Sequence, residues 1–366
     1  MTIHRTLAQP GRIGTLQLQN RFVMAPMTRA SSPGRVPTQE VAEYYARRAR
    51  GGVGLIITEG VLVPDDANVA PDGVPVLSRE TVDAWRGVVD AVHDEGSRIF
   101  PQLWHLGAYD GADGPDELRS GGVGPSGLDG NGKDFGRALT AEDADRIIKA
   151  FVESAKAALD SGFDGIELHG AHGFLFDQFL WPATNKRDDR YGISESRGTA
   201  LIVDVIRSIR EVVGPDFPII VRLSQWKIGY YESQIAQNMD ELSAITLPIK
   251  EAGVDGFHVS ARRYWQPSFR GPRSTLSGQI RELTGLPTIT VGSLGLADSD
   301  FESAFQGQSA KSAEITRAIE LFESSEFDFI ALGRALVSEP DWVKKTLNGQ
   351  HEEVRDFDPS DLASLH

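Results

Sequence analysis

Eight short apolar runs, separated mostly by longer amphipathic stretches, limit most strongly what this chain can fold into. They occupy residues 21–26 (RFVMAP), 54–60 (GLIITEG), 98–104 (RIFPQLW), 165–170 (GIELHG), 218–224 (PIIVRLS), 256–261 (GFHVSA), 287–292 (PTITVG) and 327–333 (FDFIALG). Each is almost continuous in apolar residues, the pattern of a strand buried on both faces. Helical patterns run through 38–50, 78–95, 140–161, 196–213, 238–252 and 315–322. In 78–95, for example, Val82, Trp85, Val88, Val89 and Val92 recur at helical spacing. Thr140 and Asp143 make a capping-box start, and Gly96, Gly162, Gly214 and Gly253 stand where helices end. Strand–helix alternation implies a parallel sheet, and eight repeats favour closure into a TIM (β/α)8 barrel over an open doubly wound sheet. No GxGxxG follows the first strand, which argues against a dinucleotide-binding open sheet.

The 366 residues fit one barrel domain, 1–366, since such barrels routinely exceed the usual domain size. Three additions are expected: an N-terminal hairpin at 13–19, a Gly- and Pro-rich lid at 108–139 after the third strand, and a tail at 350–366. The polar stretch 297–312 reads as a loop. A net charge of −15 disfavours nucleic acid and anionic membranes. The absence of cysteine excludes disulfides and thiol chemistry. Residues 1–20 lack a signal-peptide core, and no stretch approaches the roughly 18 apolar residues of a membrane span. The expectation is a cytoplasmic protein acting on a small molecule, with a homo-oligomer left open.

In such a barrel ligands bind at the C-terminal strand ends. His169 and His172, at the end of the fourth strand, can both donate hydrogen bonds to one carbonyl or nitro oxygen, withdrawing electrons from a conjugated alkene. Two other readings stand beside this: packed structural histidines, and a metal site completed by His105 or Glu167. Arg222 ends the fifth strand, where a buried guanidinium needs an anion, a carbonyl or a carboxylate partner. Gly292-Ser293 and Gly333-Arg334 follow strands seven and eight, where backbone N–H groups cradle phosphate in this architecture. Gln102 suits the donor–acceptor edge of a heterocycle, and Trp104 shapes the pocket or fills the core.

Together these residues resemble the old yellow enzyme family. The likeness runs from about residue 16 to 347 and is most specific in HGAHGFLFDQFLWPATNKRDDRYG, 169–192. NRFVMAPMTR (20–29), QLWHLG (102–107) and ALGRAL (331–336) match the patterns of strands one, three and eight. The resemblance implies tightly bound, non-covalent FMN with NAD(P)H as co-substrate. Hydride passes from NAD(P)H through flavin N5 to the β-carbon of an α,β-unsaturated carbonyl or nitro compound, in a ping-pong cycle. It implies that Ala25, Pro26, Met27 and Thr28 lie along the flavin, with Thr28 near O4. Gly60 and Gln102 contact the rings, Arg222 stabilises anionic reduced flavin, and Gly292, Ser293, Gly333 and Arg334 hold the phosphate. His169 and His172 bind the substrate oxygen, with Trp104, Phe174 and Tyr264 around it.

One position departs from the family. Phe174 stands where a tyrosine usually protonates the substrate α-carbon, so the proton comes from solvent or another residue, with Tyr109, Tyr230, Tyr231 and Tyr264 as substitutes, or the reaction is not a simple alkene reduction. The segment 224–231 (SQWKIGYY) is also unlike the better-known members and reshapes the pocket with Arg263 and Trp265. Without cysteine, the iron–sulfur clusters of larger relatives are not expected, leaving FMN alone. A metal-dependent hydrolase using His169, His172 and His105, and a non-catalytic flavin- or ligand-binding barrel, are the other functional classes.

Overall fold

In a computed structural model the eight apolar runs become eight parallel strands of a closed barrel. The structure describes residues 6–111, 120–269, 274–297 and 307–365. The strands are β1 (Phe22–Met24), β2 (Leu55–Leu62), β3 (Arg98–Trp104), β4 (Ile166–His172), β5 (Ile219–Lys227), β6 (Gly256–Ser260), β7 (Thr288–Val291) and β8 (Phe329–Leu332). Each pairs with its sequence neighbour, and β8 closes on β1. The molecule is thus a TIM barrel.

Helices α1 (Gln39–Arg50), α2 (Val82–His93), α3 (Ala141–Ser161), α4 (Ala200–Val213), α5 (Met239–Glu251), α6 (Leu276–Thr284) and α7 (Thr316–Glu323) lie between the strands. Thr140 caps α3 through the reciprocal bonds with Asp143 that the sequence announces, and Gly162 ends it in a left-handed turn at φ 88°. Helix α6 is absent from the sequence reading. Its Ser, Gly and Gln mask the periodicity, although Thr275 caps it.

Strand side chains alternate, so every second residue points into the barrel. The lower inward layer is apolar, with Val23, Leu55, Phe100, Ile220, Ile289 and Phe329 in one cluster. The expected hairpin pairs Gly11–Ile13 with Leu16–Leu18, and Ile13 and Leu18 join that cluster as a stopper beneath it. Further along β3, β4, β5 and β6 the inward positions turn polar, at Gln102, Glu167, His169, Arg222 and His258, while β1, β2, β7 and β8 stay apolar at Ala25, Ile57, Val291 and Ala331. Register sets His169 beside Arg222, Arg222 beside His258, and Gln102 beside Glu167. Apolar below and polar above, the stripe fixes which end can do chemistry.

β5 runs three residues past the expected end at Ser224, because the bulged end of β4 offers it a further partner, His172 opposite Lys227. Part of the expected lid, 112–119, and part of the polar stretch, 298–306, lie outside the described residues. The described lid is fastened to the loop after β5 by Tyr230, whose hydroxyl donates to Asp110 at 2.7 Å. The tail folds back, its carbonyls at Asp361, Leu362 and Ser364 accepting from Arg29. Among the described residues no helix is long and apolar enough to cross a membrane.

Candidate active site

A cavity opens at the C-terminal ends of the strands and gathers most of the residues singled out from the sequence. Ala25, Pro26 and Met27 form one wall. His172 and Arg222 lie across it, and Gly292, Ser293, Gly333 and Arg334 line the end next to β7 and β8. Gly292 is required there: a Cβ would sit 2.3 Å from the carbonyl oxygen of Ala261, and its φ is 151°. Ser293 is itself left-handed at φ 59°, with its hydroxyl taking a 2.7 Å bond from Arg263.

Arg222 is 6% exposed, and its Nε is buried without a partner. Burial pushes its pKa down to about 10, offset in part by Glu167, so it stays cationic at neutral pH. The same cavity is lined by Arg262 and Arg334, and among its described lining residues there is no carboxylate. In a chain of net charge −15 this is a local reversal of sign, suited to an anionic ligand. An orphaned buried guanidinium, glycine turns with room for close backbone approach, and a carboxylate-free wall together fit FMN.

His169 and His172 are held well below the ordinary imidazole range, first by burial and then by the field of Arg222. Both are therefore neutral at pH 7, each with one N–H to donate. His172 Nε2 lies 2.8 Å from the Ser260 hydroxyl, and His169 Nδ1 is buried without a partner. The two rings stand 5.5 Å apart, edge to face.

Several expected residues sit elsewhere. His169 lies behind His172, between Trp104 and Phe174, with ring centroids 6.2 and 4.9 Å away. Trp104 and Phe174 pack against each other at 4.9 Å in an aromatic cluster rather than on the cavity wall. Gly60 makes room for that indole, since a Cβ would come within 2.5 Å of the ring. Gln102 lies in the polar layer, its amide donating to Glu167 at 2.7 Å. Tyr264 is turned away: it joins the outer core and packs on Trp265 at 4.8 Å. Thr28 is exposed on the loop after β1. Of the tyrosines weighed as replacements at Phe174, Tyr230 is engaged with Asp110. Tyr109 packs on Phe174 at 4.8 Å, and Tyr231 stacks on Trp226 at 5.9 Å.

That loop after β1 hangs on Glu59, which is 1% exposed. One carboxylate oxygen accepts from the N–H groups of Arg29 and Ala30 at 2.8 and 2.9 Å, while the other is buried without a partner. Burial raises the Glu59 pKa to about 7, against those bonds and Arg29. The folded protein therefore keeps a proton that the unfolded chain has lost between pH 4.5 and about 7, and stability falls as pH rises through that window. Glu59→Gln keeps an acceptor and removes the charge. It should gain on wild type by on the order of 2 kcal/mol between pH 5 and 8. Denaturant midpoints at the two pH values check this, and a constant difference would refute it.

The sequence reading missed Arg262 and His258, and reached Trp226 only as part of the segment 224–231 expected to reshape the pocket. Trp226 lines the cavity and lies 4.5 Å from the His172 ring, while the Arg262 guanidinium covers Tyr231 at 4.2 Å. His258 binds Glu167 through Nδ1 at 2.7 Å. Strand parity was the available signal for it, since it stands two residues before Ser260. Among the described residues no group of three His, Cys, Asp or Glu side chains is placed to hold a metal. His105, proposed as a third ligand, instead accepts from the Gly107 N–H, with Nε2 at 3.9 Å from Asp65.

Comparison with known proteins agrees with this geometry. Residues 6–353 match the profile of the NADH:flavin oxidoreductase / NADH oxidase family. An NADH oxidase of Thermoanaerobacter brockii is 35% identical over 97% of this chain, which spans only 52% of that protein. A 12-oxophytodienoate reductase 7 of Oryza sativa subsp. japonica is 32% identical over 93% of this chain and 87% of its own length. Among solved structures, a morphinone reductase in complex with tetrahydroNAD superposes with a TM-score of 0.79 at 26% identity, covering 97% of this chain and 93% of that one. An old yellow enzyme homologue from Zymomonas mobilis gives 0.76 at 28%, covering 98% and 96%. With its barrel, its cationic mouth and a family match across nearly its whole length, the chain belongs to the NADH:flavin oxidoreductase / NADH oxidase family, the old yellow enzymes.

Proposed function

We propose that this chain is an FMN-dependent reductase that takes electrons from NAD(P)H and delivers them to activated alkenes. The observation that carries the reading is the convergence of Arg222, His172 and two glycine turns on one cavity. Gly292, Ser293, Gly333 and Arg334 hold the phosphate, and Ala25, Pro26 and Met27 flank the ring system. Arg222 sets a fixed positive charge against the polar ring edge. When bound, FMN supplies reversible hydride storage at N5.

His172, neutral and on the cavity wall, donates to the carbonyl or nitro oxygen of the alkene, with His169 packed behind it. That draws electron density from the double bond and opens its β-carbon to hydride. Phe174 has no proton to give, so the α-carbon is protonated from water or through Tyr109 or Tyr231. NAD(P)H and the alkene use the same mouth in turn, which is ping-pong behaviour. The test is the visible spectrum of the purified protein, taken anaerobically with NADH or NADPH and then with 2-cyclohexenone. A flavin band that fades with a nicotinamide and returns with the enone is expected. A colourless protein, or a band indifferent to both nicotinamides, overturns the reading.

A further inference from the structure

The first residues of the segment 224–231 carry β5 onto His172. His172 is left-handed at φ 65°, and Gly173 follows at φ 90°. A β-carbon makes that conformation costly, so a non-glycine residue keeps it only where its surroundings enforce it. Here they do. The His172 N–H donates to Ser224 Oγ at 2.9 Å, and its carbonyl accepts from Ile228 at 3.4 Å. The Gly173 N–H donates to Asp177 Oδ2 at 2.7 Å. The other oxygen of Asp177 takes Lys227 Nζ at 2.9 Å, with both side chains fully buried.

A fully buried ion pair is a weak source of net stability, because desolvation offsets most of the attraction. Its worth here is positional. Asp177 lies on the short helix Leu175–Leu180 that follows the turn, and Lys227 on the strand that flanks it. The pair ties the two sides of the His172–Gly173 turn together.

We propose that Lys227 and Asp177 form a clamp that holds His172 in its left-handed turn and so aims its imidazole at the substrate oxygen. Both are positioning residues, and neither touches the substrate. The inference rests on the role given to His172 under the proposed function. Around His172 the charged and titratable groups are Arg222 and Lys227 from β5, His169 from β4, His258 from β6 and Asp177. The two cations and the two histidines all favour the neutral imidazole, in line with its depressed pKa.

The test uses the flavin-loaded protein with Lys227→Met. One readout is the ring 15N–1H signals of His172, assigned with His172→Gln. The other is the affinity for 4-hydroxybenzaldehyde, a planar phenol, by calorimetry. The His172 signals are expected to move and the phenol Kd to rise roughly ten- to a hundredfold, as for a catalytic group displaced by about an ångström. Flavin content should be unchanged, and Lys227→Arg should recover most of the affinity. If Lys227→Met does not fold, the double variant Asp177→Asn/Lys227→Met, which leaves no lone buried charge, carries the same readouts. Unmoved His172 signals with wild-type phenol affinity in the variant that folds overturn the clamp. Wild-type phenol affinity in His172→Gln would instead overturn the role of His172, while its ring signals in the Lys227 variants still judge the clamp.

Discussion

Arg222→Met should emerge from purification with most of its flavin gone. The substitution keeps the aliphatic stem and removes the one charge that faces the polar layer from β5. A hydrogen bond to a charged group contributes up to about 3 kcal/mol, roughly a hundredfold in affinity. Arg222 is desolvated before any ligand arrives, and its Nε lacks a partner within the protein. The bond it forms to a ligand therefore replaces no internal one, and the gain is at the upper end of that range. Glu167 remains held by Gln102 and His258, so the layer beneath should survive. The flavin-to-protein absorbance ratio, followed by FMN titration of the apoprotein, measures the effect. Stoichiometric flavin in the variant would remove Arg222 from the cofactor site.

His172→Ala should do the opposite: keep its flavin and lose its alkene chemistry. Removing one donor aimed at a developing oxyanion costs on the order of a hundred- to a thousandfold in rate. Because burial and Arg222 keep His172 neutral, this loss should be flat across neutral pH rather than tied to an imidazole titration. Reduction of the flavin by NAD(P)H, which needs no substrate oxygen, should be less affected than its reoxidation by 2-cyclohexenone. Stopped-flow measurement of the two halves separates them. Equal slowing of both, or loss of FMN, would show that His172 serves the cofactor.

The sequence made the barrel legible because each strand carries a nearly continuous apolar run, and it made the mouth legible because strand ends are a short list. Ala25, Pro26, Met27, His172, Arg222 and the two glycine turns all reach the one cavity. What escaped was set by tertiary contacts. The overshoot of β5 depends on a bulge in its neighbour, which no local pattern in Gln225, Trp226 and Lys227 announces. Tyr264 is withdrawn into the outer core with its N–H on the carbonyl of Gly292, a long-range contact that its own neighbours in sequence do not announce. Gln102 and His258 were within reach: counting inward positions by twos from Phe100 and from Ser260 puts both in the polar layer. Phe174 shows the limit of a motif, for the ring is kept and packed while the group that would have carried a proton is missing.

The hairpin that stoppers the barrel divides the molecule along its axis. Below, Ile13 and Leu18 complete a greasy plug that holds the staves together. Above, the staves end in groups chosen for what they bind, at some cost in strain and buried charge. Rigidity and reactivity are thus drawn from opposite ends of the same eight strands. The lower half is free to be rebuilt for heat tolerance without altering what the upper half recognises.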